Sequence, residues 1–396
     1  MLDPAILRAG LPAGTPRHYF NNAGASLMPQ AVVDAITAHL ALESSLGAYG
    51  AAGERQGAVD QVYRSAARLL GCDADEIALT DSHSRGWQAV IAAMGLKRGD
   101  RVLVGRSEWG GNYAALLHIA RATGATVQQV GCEADGTIDL DDLAYNLDAS
   151  VRMVSLTWLP ANGGLVNPAA AVGALTRAAG VPFVLDAAQA VGQMPVDVRA
   201  LGCDVLTAPG RKWLRGPRGT GLLYVRRGFL ETLHPPTVDH FTAPWNGSEY
   251  VLRADARRFE ASEASVALRL GLGVALEGAL ALGVDNLRQV IGARATQLRE
   301  GLARIDGVRL RDLGTAQSGL VSFTLEGLAP VQVQAQLAGE GMVLAVNGMA
   351  YTPLDMRARG LHEIVRASPH AYTTADEIDD LLAAVRNLAA GQAASP

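Results

Sequence analysis

Residues 181–221 read VPFVLDAAQAVGQMPVDVRALGCDVLTAPGRKWLRGPRGTG, and their pattern decides the fold. The apolar run at 181–185 is short and free of charge, as a buried parallel strand requires. Asp186 stands where that run ends, and Gln189 follows three residues later. A second run at 204–207 leads into Ala208-Pro209-Gly210-Arg211-Lys212-Trp213. The Gly/Pro-rich segment 216–221 then precedes a third apolar run at 222–225. Ligands of open α/β sheets collect beyond the carboxyl ends of the strands, so charges placed there are well sited for chemistry.

Outward from this stretch, strand-like runs fall at 76–80, 101–104, 125–130 and 151–157. Helical spacing of apolar residues marks 30–46, 61–70, 140–147 and 169–179, and a further helix opens at Asp81-Ser82-His83-Ser84-Arg85-Gly86-Trp87 and runs to about residue 94. Residues 47–57 are glycine-rich and read as a loop. The strand–helix alternation predicts an α/β fold with a mostly parallel central sheet and crossover helices. Residues 234–245 read as irregular. An apolar helix at 266–284 and an amphipathic one at 285–305 lead into a smaller α+β C-terminal domain, with strands near 308–313 and 320–325 and helices near 331–339 and 374–388. The expected division is an N-terminal arm over 1–16, a large domain over 17–284 and a small domain over 285–396, with the N-terminal segment able to pack on the small domain.

A chain of 396 residues can bury a large core. The net charge of −5 has no long run of one sign, which disfavours nucleic acid and anionic membrane as partners. Cys72, Cys132 and Cys203 have neither metal spacing nor an even-numbered framework, which fits a reducing cytoplasm. The first residues lack the features of a signal peptide. The stretch 266–284 carries Arg269 and Glu277, so it reads as a core helix rather than a membrane span. The expected partner is a small molecule.

A carboxylate at one strand end and a lysine after the next suit pyridoxal 5′-phosphate, which needs a lysine to hold it as a Schiff base and an acid to keep its ring nitrogen protonated. An isolated pair of this kind is an ordinary capping Asp and a surface Lys. The surrounding pattern, D-A-A-Q followed by C-D-V-L-x-x-x-G-R-K-W-L-x-G-P-x-G-x-G, resembles the lysine signature of the class V aminotransferases, enzymes of fold type I. The resemblance runs from Tyr19 to about Leu388. It implies a fold-type I transferase with Lys212 as the catalytic lysine, Asp186 and Gln189 on the cofactor ring, and Arg211 supplying charge where relatives place Ser or Thr at the position of Pro209.

Other segments are similar to the family's remaining motifs. S-H-S-R-G-W matches its phosphate turn and implies Ser82, His83 and Ser84 as phosphate ligands; read alone, Ser82 is a helix N-cap. Trp109, followed by Asn112, stands where the family lays an aromatic on the pyridine ring, and read alone it is a core aromatic. Asn162 falls in the family's turn that touches the cofactor or the substrate. Asn22, Ala23 and Gly24 match a turn said to line the substrate pocket. Arg366, in V-R-A-S, matches the arginine that grips the substrate carboxylate, a task a planar guanidinium suits. Where relatives carry a Gly-Thr pair that reaches the partner subunit's phosphate, this chain has Ser262 and Glu263. The family implies a homodimer.

Residues 330–370 contain no cysteine, whereas cysteine desulfurases and many selenocysteine lyases use a loop cysteine there. A persulfide-forming desulfurase is therefore not expected. The run Gly219-Thr220-Gly221 is too short for a dinucleotide fingerprint and leads into a strand. The joint pattern at the phosphate turn and the lysine is similar to ergothioneine-type C–S lyases and isopenicillin-N-epimerase-like proteins. That likeness implies a C–S β-lyase acting on an S-substituted cysteine and releasing pyruvate and ammonia. An epimerase or an aminotransferase would use the same residues. A catalytically silent cofactor-binding protein would not need Lys212, Asp186, Gln189 and Arg366 together.

Overall fold

The computed structural model describes residues 2–393. Seven strands form the main sheet: β1 Ile77–Thr80, β2 Arg101–Val104, β3 Thr126–Gln129, β4 Val151–Thr157, β5 Phe183–Asp186, β6 Val205–Pro209 and β7 Gly221–Val225. Their spatial order is β1-β7-β6-β5-β4-β2-β3, and β7 alone runs against its neighbours. The mostly parallel sheet expected from the alternation is therefore present, with one antiparallel strand.

Alternation along each strand divides the apolar residues between two cores. Leu103, Val154, Leu156, Phe183, Leu185, Leu206 and Leu222 point to one face. Val102, Val104, Met153, Val184, Val205, Leu223 and Val225 point to the other, with Trp87, Val90 and Ile91 of helix His83–Ala93. Both faces are covered by helices, so the central strands read as continuous apolar runs. Each fully buried Leu, Val or Phe contributes about 1.5–3 kcal/mol.

Residues 47–57 correct the sequence reading. They are not a loop but the start of a helix, Ala48–Leu70. Gly50, Gly53 and Gly57 weaken a helix interior by about 1 kcal/mol each. The loss is offset by a buried face of Ala51, Val59, Val62, Tyr63, Ala66 and Leu70, which packs on helix Val266–Leu282. That packing partner lies some two hundred residues downstream, beyond the reach of a local pattern. Among the described residues no single helix is long and apolar enough to cross a membrane.

A second sheet of four antiparallel-paired strands, β8 Val308–Leu310, β9 Val321–Leu325, β10 Ala345–Gly348 and β11 Glu363–Ala367, has the order β10-β11-β9-β8. Its own core gathers Phe323 and Val365 with Leu298 and Leu302 of helix Val284–Ala303 and Ile378 and Leu381 of helix Ala375–Ala393. The chain's N-terminal segment joins this body. His18–Tyr19 pair in parallel with Met342–Val343, Phe20 enters the small core, and Arg8 pairs with Glu377.

Candidate active site

The ends of β4, β5 and β6 lie side by side, with Thr157 opposite Asp186 and Asp186 opposite Thr207. The loop after β6 carries Arg211 and Lys212 back over these ends. It closes against Gly192, which has φ +100° and where any Cβ would sit 2.5–2.7 Å from the Trp213 and Leu214 backbone. A cavity of about 290 Å³ results, and Ser82, His83, Ser84, Trp109, Asp186, Gln189, Arg211 and Lys212 all line it. Eight positions named from the sequence thus meet in one place.

Asp186 is buried and fully engaged. Oδ1 accepts the Ala188 N–H at 2.9 Å, and Oδ2 accepts an Asn112 Nδ2 hydrogen at 2.8 Å. His83 Nε2 stands 2.9 Å from Oδ1, an ion-pair distance. Burial opposes charge on Asp186, but His83, the Ala188 N–H and Lys212 outweigh it and hold the carboxyl below its ordinary range. It is therefore an ionised acid aimed at a cation.

Lys212 is the converse case. Burial first, then Arg211 and Arg366, lower its amine to about 7, against the opposing pull of Asp186. Among the described residues the amine makes no hydrogen bond or ion pair. An amine near neutrality with no partner is prepared for nucleophilic attack and proton transfer. The next residue is anchored: Trp213 Nε1 donates to Gln189 Oε1 at 2.8 Å, and its carbonyl accepts from His370 Nε2 at 3.0 Å. His370 lies between Trp213 and Tyr372 with ring planes within 22° of each. Burial and Arg215 lower His370 to about 3, so it is neutral.

Ser82 caps helix His83–Ala93 through the Arg85 N–H at 3.2 Å and also faces the cavity, so the plain reading and the functional one both apply to it. The first-turn N–H groups of a helix have no intrahelical partners and suit a phosphate. Trp109 begins helix Gly110–Thr123, its N–H held by Thr157 Oγ1 at 2.9 Å, and its ring meets His83 edge-on at 5.6 Å.

Five other predicted residues stand behind the lining. Asn22 Nδ2 donates to the Ser368 carbonyl at 2.7 Å, and its Oδ1 accepts from the Tyr372 hydroxyl. The Ala23 carbonyl accepts from Gln189 Nε2 at 3.1 Å, and the Gly24 carbonyl accepts from Arg211 Nη1. The turn thus holds the lining residues in place. Asn162 is spent on the small sheet: its Oδ1 accepts from Asn347 Nδ2 of β10 at 2.8 Å. Arg366 is buried, with Nη1 on the Ala161 carbonyl at 2.9 Å and Nη2 on Asn21 Oδ1 at 3.3 Å. Its Nε has no partner, and no carboxylate of the described residues pairs with it. A buried guanidinium lacking a counter-ion is suited to an incoming carboxylate.

Sequence reasoning passed over Glu108. It is 1% exposed and accepts from Thr157 Oγ1 at 2.8 Å, Asn112 Nδ2 at 3.0 Å and Ser155 Oγ at 3.1 Å. Burial and then the charge of Asp186 push its carboxyl up to about 7, against those donors. The signal was its place in E-W-G-G-N, four residues before Asn112.

An unpaired near-neutral lysine, an anchored acid at the neighbouring strand end and a helix N-terminus fit pyridoxal phosphate: carbonyl to Lys212, ring nitrogen to Asp186, phosphate to the turn of Ser82–Ser84. Fold and site together define an α/β enzyme built around a lysine-bound aldehyde cofactor. The profile of the family "Aminotransferase class-V" matches residues 18–381, and the chain belongs to that family. It is 28% identical over 390 residues to a cysteine desulfurase of Synechococcus elongatus, covering 96% of this chain but only 62% of that relative, so it spans about three-fifths of the relative's length. An apo cysteine desulfurase from Thermococcus onnurineus superposes with a TM-score of 0.92 at 25% identity, covering 99% of both chains. The cystine C–S lyase C-DES, solved with its product cysteine persulfide, gives a TM-score of 0.85 at 26% identity over 94% of this chain and 98% of that one. A C-DES variant with glycine covalently linked to its pyridoxal phosphate gives 0.87 at 26% identity, over 98% and 100%.

Proposed function

We propose that this class V enzyme is a pyridoxal-phosphate-dependent C–S β-lyase that cleaves an S-substituted cysteine, a thioether or sulfoxide, without capturing the sulfur on the protein. The observation that carries the reading is the distribution of thiols: no cysteine lines the cavity around Lys212. Cys203 is buried at the far end of β6, and burial raises its thiol. Burial and then Glu76 push the Cys72 thiol up to about 12. Cys132 follows β3, the edge strand three places from β5. A desulfurase that stores sulfur as a persulfide needs a reactive thiolate beside the substrate. Likeness to the neighbour named cystine C–S lyase supports the lyase reading, since cystine is itself an S-substituted cysteine.

When bound, the cofactor supplies an electron sink that acidifies the substrate α-carbon. Asp186 keeps the ring nitrogen protonated. Arg366 would hold the α-carboxylate, and Trp109, which lines the cavity, would exclude water beside the cofactor. The Lys212 amine, brought near neutrality, takes the α-proton and can return it to the departing sulfur. The reaction is an elimination followed by hydrolysis, with no net oxidation: for a thioether, R–S–CH2–CH(NH3+)–COO− and water give R–SH, pyruvate and ammonium, and a sulfoxide gives the sulfenic acid R–SOH in place of the thiol. Incubation with S-alkyl and S-sulfinyl cysteines should yield pyruvate in proportion to enzyme and time. Inverted amino acid or keto acid without pyruvate would exclude the lyase. We further propose a homodimer, to be checked by light scattering; a monomer at working concentration contradicts it.

A further inference from the structure

Glu108 has no part in the chemistry above and does not line the cavity, yet it is the hub of the donors around it. One Asn112 amide nitrogen bridges two buried carboxylates, giving a hydrogen to Glu108 Oε1 at 3.0 Å and the other to Asp186 Oδ2 at 2.8 Å. An amide that donates both hydrogens fixes both acceptors, and Thr157 Oγ1 and Ser155 Oγ fix Glu108 in turn. A donor set this complete marks Glu108 as an acceptor, and the chain has placed it one amide away from its ring acid despite the repulsion between like charges.

We propose that Glu108 is a positioning residue for the cofactor's ring nitrogen: through Asn112 it sets the orientation of Asp186, and in its ionised form it strengthens that carboxylate's hold on the ring proton. The inference rests on the pyridoxal phosphate reading. A carboxylate with a like charge close by gives up a proton less readily, and an acid held by Asn112 and the Ala188 N–H cannot swing away from the ring.

The test compares two aldehydes on the apoprotein: pyridoxal phosphate, and its deaza analogue with carbon in place of the ring nitrogen. The affinity of each is measured by fluorescence titration at about pH 8.5, where Glu108 is ionised, for wild type and Glu108→Gln, which keeps the shape and removes the charge. The expected result is a loss of about tenfold for pyridoxal phosphate and less than about twofold for the analogue, which offers Asp186 nothing to bind. Equal losses on both aldehydes would reduce Glu108 to packing and overturn the proposal, as would no loss on either. If E108Q does not accumulate as folded protein, Glu108→Asp answers the same question, because it shortens the reach to Asn112 and leaves the Asn112 donor on Asp186, so a selective loss for pyridoxal phosphate is expected again and equal losses overturn the proposal. Wild-type protein that takes up no pyridoxal phosphate would overturn the cofactor reading and this one together. Equal losses overturn this one alone.

Discussion

Arg366→Lys tests the proposal that Arg366 recognises the substrate carboxylate. The guanidinium has five N–H hydrogens, of which one goes to the Ala161 carbonyl and one to Asn21 Oδ1. Three remain, including that of the orphaned Nε, enough for a two-pronged grip on a carboxylate. Lysine keeps a positive charge but offers it as a point, so one of the two charge-assisted hydrogen bonds is lost. At about 1.5–3 kcal/mol for such a bond, kcat/KM should fall roughly 10- to 150-fold. Burial lowers the Arg366 guanidinium only to about 10, so it is charged throughout the neutral range. The assay pairs an S-substituted cysteine with the matching S-substituted cysteamine, which lacks the carboxylate. The cysteamine should be a poor substrate for wild type and no poorer for the variant, within about threefold. Equal losses on both substrates would mean that Arg366 supports Ala161 and Asn21 and recognises nothing. A loss under about threefold on the cysteine would refute the assignment outright.

Lys212 should react early in a pH series. Its neutral form is the nucleophile, and its amine lies near 7, so borohydride-trapped cofactor per short pulse should rise to about pH 7 and then level, where an ordinary lysine would climb toward about 10.4. The same depression sets the sign for stability: protonated Lys212 destabilises the folded apoprotein below about pH 7, and the penalty fades as pH rises to the unfolded value near 10.4. Lys212→Met should therefore raise the apoprotein's melting temperature more at pH 6 than at pH 10. Gly192→Ala sets a Cβ within 2.5–2.7 Å of the lysine loop's backbone at φ +100°; backbone strain and overpacking together predict a loss of about 2–5 kcal/mol in urea unfolding. Replacing Cys72 and Cys132 by Ser and Cys203 by Ala should leave C–S cleavage within about threefold of wild type, and a loss of a hundredfold would restore a thiol-capture mechanism.

The lining of the site was legible because its residues follow the ends of short apolar runs, and a strand's end fixes where the next side chains go. Asp186 closes β5, and Lys212 follows β6 by three residues. What the sequence hid depends on partners far along the chain. Glu108 is organised by Ser155 and Thr157, and nothing in E-W-G-G-N alone points to them. Helix Ala48–Leu70 takes its stability from helix Val266–Leu282, and its glycines hid it. The direction of β7 leaves no mark either, since an apolar run reads the same parallel or antiparallel. The small domain's β10 was missed because Asn347 and Gly348 interrupt its apolar character, although Asn347 is buried and bound to Asn162.

The residues that do not line the cavity tie the small sheet to the lysine loop. Arg366 lies on β11 of the small sheet, yet its guanidinium is held by the Ala161 carbonyl after β4 and by Asn21 of the N-terminal turn. That turn also carries Asn22, bound to Ser368 and Tyr372, and the carbonyls of Ala23 and Gly24, bound to Gln189 and Arg211. His370 and Tyr372 continue the same connection to Trp213, beside Lys212. A shift of the small sheet would strain hydrogen bonds to buried carbonyls on both sides, and leaving one such group unmatched costs about 1–3 kcal/mol. The distance from Arg366 to Lys212 is therefore set by buried polar contacts, which break sharply, rather than by apolar packing, which slides. In the proposed reaction a substrate would therefore be measured from its carboxylate to its α-carbon before its sulfur substituent is met.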